Sequence, residues 1–313
     1  MKQKTKSILK RNAIGYGFVA PLLIYFAIFQ LAPMLIALII SFTNYSWNHP
    51  FDYEFVGISN YLALLRAEGA YSWFWSSLKT TFLYILITVP INIILALVVS
   101  SLLNAKIKGE KFFKTVFYIP SVTVGVAIMV MWQQMLSTDG IINKLLGTSI
   151  NFLYNDSTAL WVIALMSIWG GLGYNVLIML SAMKNIDSSL YEAAEMDGAG
   201  AFQKFLYVTV PGVMPTVFFF LVMGLIGGFQ VGEQMLIIYG VNDVYVPSMH
   251  TYVYQLYSIM RGDADYGMAS AMSYFLFVII LVFTLLQFRL QNGAPERKKH
   301  TKRVKEVARV ETN

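Results

Sequence analysis

Residues 192–215 read EAAEMDGAGAFQKFLYVTVPGVMP, a charged, glycine-punctuated stretch between two long apolar runs, 159–181 and 211–232. A helix crossing the roughly 30 Å hydrocarbon core of a bilayer needs about 20 apolar residues, and both flanking runs reach that length. The insert therefore reads as a short excursion into water between two membrane helices. Just upstream, Asp187-Ser188-Ser189-Leu190-Tyr191-Glu192 sets Ser189 ahead of Glu192 at the spacing of a capping box, and Gly198 is a residue type that ends helices in left-handed geometry. The spacing predicts a short helix from Leu190 to Met196. Glu192 and Glu195 lie on its polar side, with the small Ala193 and Ala194 where a second surface can approach closely. Pro211 and Pro215 are expected in the first turns of the next membrane helix, where a missing N–H is tolerated.

Outward from this insert, four more runs are long and apolar enough to span a membrane: 14–42, 81–103, 113–136 and 267–289. Composition agrees, since 57% hydrophobic and 13% charged residues lie outside the habit of soluble domains. The expected fold class is an all-α integral membrane protein with six transmembrane helices and a short polar helix between the fourth and fifth. The first run is overlong and holds Pro21, Gln30 and Pro33, which predicts a bend or a tilt. The start, MKQKTKSILKR, looks like the basic end of a secretory signal, but the run behind it is too long and lacks a small-residue cleavage site, so it reads as an uncleaved first span.

Cytoplasmic flanks of membrane helices carry an excess of lysine and arginine. With the N-terminus inside, 19 of the 23 basic residues fall on the cytoplasmic side; only Arg66, Lys79, Lys144 and Arg261 fall outside. This orientation makes the basic segments 1–12 and 291–313, and the insert at 192–215, cytoplasmic, and bounds a membrane domain at 13–290. The formal charge of +6 is thus a topology signal and argues for contact with lipid, not nucleic acid. With no cysteine, disulfide frameworks and thiolate metal sites are excluded.

The charged residues and the three histidines, His49, His250 and His300, all fall in loops or at membrane boundaries. A charge at mid-bilayer costs roughly 2.5–3.5 kcal/mol on insertion scales and is usually kept for ion or proton coupling, so a proton-driven carrier or an intramembrane protease is hard to build here. A sodium-coupled carrier that uses backbone carbonyls stays open. No G-x-x-x-x-G-K-[ST] phosphate loop is present, so any ATP used binds another polypeptide. Candidate path residues are Trp169, Tyr174 and Asn175, set among Gly170, Gly171 and Gly173, with Gln230 and Glu233 closing the fifth run. Amides and carboxylates exchange hydrogen bonds with sugar hydroxyls, and aromatic faces cover pyranose rings, which suits a neutral carbohydrate. The same aromatics also fit packing or an interfacial belt, and Gly224-x-x-x-Gly228 fits close helix contact. Because helix N-termini can hold anions, a glycerol-phosphate-like solute stays open.

The order Glu192-Ala193-Ala194, two residues, Asp197-Gly198-Ala199 and then proline resembles the EAA loop of ATP-binding-cassette importer permeases, and among them the sugar permeases of maltose and glycerol-phosphate type. FVGISNYLALL at 55–65, FYIPSVTVGVAIMVMWQQML at 117–136, TYVYQLY at 251–257 and YGMASAMSYFLFVIILVF at 266–283 are similar to segments of the same family. A Gly-Gly-Pro stretch that the family often shows is replaced here by YGVNDVYVPSMH at 239–250. The resemblance implies a multi-pass subunit of a bacterial inner (plasma) membrane importer that translocates a carbohydrate. It implies as partners a second homologous permease, a cytoplasmic ABC ATPase dimer and an extracytoplasmic solute-binding protein. Glu192, Ala193, Ala194, Asp197, Gly198 and Ala199 would meet the ATPase, which itself binds ATP, so this chain needs no cofactor or metal of its own and is not an enzyme. Glycerol-3-phosphate or another small solute is the alternative cargo, and a stand-alone secondary carrier the alternative mechanism.

Overall fold

The computed structural model describes residues 16–105, 109–123, 125–240 and 246–292. The basic segment 1–12, the tail beyond 292 and residues 241–245 of the loop at 239–250 lie outside them. Every regular element among the described residues is helical, accompanied only by isolated β-bridges. In chain order these are α1 (Tyr16–Ile40), α2 (Ser59–Arg66), α3 (Phe74–Asn104), α4 (Glu110–Val122), α5 (Gly125–Met135), α6 (Ile141–Leu146), α7 (Ala159–Lys184) and α8 (Ser188–Met196). They continue with α9 (Ala201–Phe229), α10 (Glu233–Tyr239), α11 (Tyr252–Ser258) and α12 (Tyr266–Asn292). Two units are distinguished, residues 1–72 with 256–275, and 73–255 with 276–313.

Of the six expected spans, α1, α3, α7, α9 and α12 are single helices long and apolar enough to cross a bilayer. The run 113–136 is instead two helices, α4 and α5, whose axes differ by 95°. Thr123 between them is extended, at φ −79° and ψ 143°, and Pro120 in the last turn of α4 cannot donate to the helical ladder. Helix α9 also departs from expectation. It begins at Ala201 and carries Pro211 and Pro215 in its interior, not in its first turns. A π-turn, Phe205–Thr209, makes this workable, with the Val210 N–H donating to the Phe205 carbonyl. Pro211 has no N–H to offer the carbonyl of Tyr207, and its ring crowds that carbonyl; widening the preceding turn relieves the clash.

The same device explains the overlong first run. In α1 a π-turn spans Ala27–Leu31, the Ala32 N–H donates to Ala27, and Pro33 follows directly. Mean hydropathy over the α1 window is 2.5, and none of that window is buried in the chain, as for a helix that meets lipid around its circumference.

In the first unit the segment after α1 is held by Asn60, whose Nδ2 donates to the carbonyls of Ser41 at 3.0 Å and Thr43 at 2.9 Å. Gly267 at the start of α12 admits this segment, because a β-carbon there would lie 2.2 Å from the Thr43 carbonyl oxygen.

The core of the second unit is the contact among α3, α7 and α9. Ile93 of α3, Met179 and Met183 of α7, and Val213 and Phe220 of α9 form one buried cluster. Ala96 and Leu103 meet Leu172, Val176 and Leu180 in another. Apolar helices gain little by meeting one another in lipid, so close packing and interhelical hydrogen bonds must hold them. Both are present. A β-carbon at Gly224 would lie 3.0 Å from Val89 and one at Gly228 2.6 Å from Ile85, so α9 rests directly on α3. Ser100 Oγ donates to the Val176 carbonyl at 3.0 Å, in a buried bond between α3 and α7. Later in α12, Phe283 packs against Phe82 at 5.4 Å and Phe229 at 5.6 Å between ring centroids.

Gly173 is the tightest of these contacts, since its β-carbon would stand 2.0 Å from the Phe117 carbonyl oxygen of α4, a backbone atom that cannot rotate away. Gly173→Val is expected to destabilise the protein by at least the ~1–3 kcal/mol typical of overpacking. Gly170→Ala, which meets nothing within 4 Å, should retain wild-type stability. Thermal unfolding of the detergent-solubilised proteins checks both; equal melting temperatures for the valine variant and wild type would rule out the close α4–α7 contact.

Candidate functional site

Two places in the second unit gather the residues that the sequence marks for function. The first is α8 and its surroundings. Its N-cap is Asp187, whose Oδ1 accepts the Ser189 N–H at 2.9 Å, so the helix starts at Ser188, two residues earlier than the Ser189–Glu192 capping box predicts. Aspartate accepts the N–H two residues on, as a cap does, and adds a negative charge where the helix dipole favours one. That N–H holds the Asp187 carboxyl below its ordinary range. The cap is therefore present at neutral pH and is lost only as the pH falls through the lowered value.

The C-terminus of α8 follows the expected geometry. Gly198 has φ +77°, its N–H donates to Glu195, and the Ala199 N–H donates to Ala194, both at 2.9 Å. This pair of bonds is a Schellman motif, with glycine in the left-handed position that side chains resist. Asp197 is the C-cap. Glu192, Ala193, Asp197 and Gly198 are exposed, while Ala194 and Ala199 are half-buried. Met196, 89% exposed, and Leu190, 54% exposed, extend the free face with apolar surface. The opposite side of α8 is tied to α9. Tyr191 Oη and Thr209 Oγ1 are 2.9 Å apart, and Lys204 Nζ lies 2.5 Å from Glu195 Oε1.

The second place is an open cavity of about 320 Å³ lined by α3, α7 and α9. Each helix contributes a row at four-residue spacing: Tyr84, Thr88 and Asn92; Ser167, Gly171 and Asn175; Phe220, Gly224 and Gly228. That spacing puts each row on one face of its helix. Asn175 Nδ2 donates to Asn92 Oδ1 at 2.6 Å, and Asn92 Nδ2 donates to the Ile168 carbonyl at 3.2 Å. Ser167 Oγ lies 2.8 Å from the Ile163 carbonyl and 2.9 Å from Gln234 Oε1, and serves one or the other. Gly171 faces Asn92, a β-carbon there standing in ordinary contact with Asn92 Nδ2 at 3.4 Å. Among the described residues lining the cavity none is charged, and the hydrogen-bonding groups are amides and hydroxyls.

Of the five path residues suggested by the sequence, Asn175 lines this cavity and the others do not. Trp169 packs edge-on against Trp132 of α5, with centroids 5.7 Å apart, and Tyr174 is 55% exposed. Gln230 is the C-cap of α9 and Glu233 the first residue of α10, both exposed. Asn92, Ser167, Thr88 and Tyr84 were not singled out. The signal that marks them is the four-residue recurrence of polar and small residues on three runs, invisible when each run is read alone.

Residues 69–294 match the family described as "Binding-protein-dependent transport system inner membrane component", a range that includes both α8 and the cavity. The chain is 36% identical over 296 residues to the probable ABC transporter permease protein YesP of Bacillus subtilis, covering 92% of this chain and 93% of that protein. It is 30% identical over 289 residues to the arabinooligosaccharides transport system permease protein AraP of the same organism, covering 90% of each. Its fold matches a chain from the crystal structure of a bacterial ABC transporter involved in the import of the acidic polysaccharide alginate, with a TM-score of 0.79 at 23% identity, covering 93% of this chain and 99% of that one. The chain therefore belongs to the binding-protein-dependent transport system inner membrane components and is a multi-pass permease subunit of an ABC importer.

Proposed function

We propose that this subunit passes a neutral carbohydrate through the cavity among α3, α7 and α9, and that α8 couples this passage to ATP hydrolysis on a partner. The observation that carries the cargo is the lining: amides and hydroxyls on Asn92, Asn175, Ser167, Thr88 and Tyr84, without a charged side chain. Sugar hydroxyls exchange hydrogen bonds with such groups, whereas an anion favours arginine, lysine or a helix N-terminus. The sugar name carried by AraP, arabinooligosaccharides, supports a saccharide. At about 320 Å³ the cavity is at the small end of ligand sites, which suits one wall of a path completed by a second, homologous permease.

The coupling role rests on α8. Its free face offers Glu192 for a charged contact, Ala193 for close approach, and Met196 and Leu190 for apolar burial in a cleft. Asp197, Gly198 and Ala199 fix the turn that presents it. The excess of lysine and arginine puts this face in the cytoplasm, where a dimer of ABC ATPases would seat it, and an extracytoplasmic solute-binding protein would deliver cargo on the other side. Nucleotide acts at a distance only by binding two states of the assembly unequally, and α8 is the element through which that bias reaches the membrane helices.

Three outcomes are expected. When the protein is purified from its native membrane in mild detergent, mass spectrometry should find a second permease and an ATPase with wild type, and no ATPase with Glu192→Lys; recovery of this chain alone in both samples would defeat the coupling reading. Gly198→Val, which forces a β-branched residue into left-handed geometry at a cost of about 1–2 kcal/mol, should abolish most uptake while leaving membrane insertion intact. Asn92→Leu and Asn175→Leu should each lower uptake of radiolabelled sugar at sub-saturating concentration about tenfold, the scale of a lost buried hydrogen bond, with the ATPase still bound. Unchanged uptake by both leucine variants would move the path elsewhere.

A further inference from the structure

Helix α8 and the first turns of α9 form an antiparallel helical hairpin around the turn at Asp197–Gly200. Three contacts close it in order from the turn outward. Glu195 Oε1 meets Lys204 Nζ at 2.5 Å, Tyr191 Oη meets Thr209 Oγ1 at 2.9 Å, and Ile186 fills the space that a side chain at Gly212 would need, a β-carbon there lying 2.7 Å from Ile186 Cδ1. Thr209 is buried, and it is the last residue of the π-turn Phe205–Thr209, so the tyrosine hydroxyl is bonded to α9 at the widened turn itself. The turn is closed from its other side by Gln203 Oε1, which accepts the Gly200 N–H at 2.8 Å.

We propose that Tyr191 and Thr209, with Glu195 and Lys204, are straps that make α8 and the start of α9 move as one piece, so that a displacement of α8 is delivered through α9 to the cavity. Phe220, Gly224 and Gly228, the α9 wall of the cavity, stand eight to sixteen residues further along the same helix than Gly212, so a movement of the gripped end is carried toward the wall by the α9 backbone. On the other side of α8 the chain returns to α7 through Asn185, Ile186 and an extended N-cap at Asp187, φ −60° and ψ 125°, where the helical ladder gives way to turn bonds from the Asn185 and Ile186 N–H groups to the Ala182 and Met183 carbonyls. The four residues are positioning residues, and the inference rests on α8 being the coupling element.

The test uses the complete importer in proteoliposomes, with sugar uptake and ATP hydrolysis measured on the same samples. Tyr191→Phe and Thr209→Val should each lower the sugar moved per ATP about fivefold, the scale of one lost hydrogen bond, while the ATPase stays bound and hydrolysis continues. The double variant should be no worse than either single one, because both remove the same bond. Glu195→Lys should lower the ratio and the exchanged pair, Glu195→Lys with Lys204→Glu, restore it. A ratio equal to wild type in Tyr191→Phe and Thr209→Val would overturn the proposal, as would loss of the assembled complex, which would make the bond merely structural. Absence of ATP-driven uptake in the wild-type complex would remove the coupling reading itself, and this proposal with it.

Discussion

Most of this structure depends on how closely α3, α7 and α9 can approach. In lipid, apolar surface is not driven together by water, and polar groups find no water to bond. Helices then stay associated where glycine lets backbones touch and where side chains bond across to carbonyls. Gly224 and Gly228 supply the first kind of contact between α9 and α3, as Gly173 does between α7 and α4, and Ser100 and Asn92 supply the second. The same choice opens the cavity, because residues small enough to permit contact leave unfilled space where the helices diverge. Packing and cavity are therefore products of the same small residues.

Proline is accommodated twice by one local rule. In α1 and in α9 a π-turn is followed by a single residue and then by proline, Pro33 in one case and Pro211 in the other. Each helix continues past its proline because the missing donor is absorbed by a wider turn upstream. In α9 the widened turn also places Thr209 against Tyr191, so a device needed for continuity becomes the seat of a specific contact.

The sequence displays the gross architecture because span length and apolarity are local properties, and Gly198 is legible because one conformation nearly demands glycine. The N-terminus of α8 was misplaced because aspartate, serine and threonine are close competitors for a cap, and two of them stand in a row at Asp187-Ser188-Ser189. Proline was read at the start of α9 because its usual cost forbids a helix interior, and nothing short of the backbone reveals the compensating π-turn. The break between α4 and α5 shares this cause, an apolar run being equally compatible with one straight helix or two bent ones. The cavity was missed for a different reason. Trp169 and Tyr174 are conspicuous by size, whereas the cavity is lined by the inconspicuous rows at 84–92 and 167–175.

Those rows also constrain how the importer can work. A cavity walled on one side by Phe220, Gly224 and Gly228 changes shape if α9 shifts relative to α3, and the glycine contacts between the two helices are flanked by Val213 and Phe220 of α9, which pack in one cluster with Ile93 of α3. The hairpin at the other end of α9 is fixed by an ion pair, a hydroxyl pair and a filled glycine notch within a few turns. If α8 is the coupling element, the hairpin is where its displacement enters α9, and the α3–α9 contact is where that displacement would reach the cavity wall.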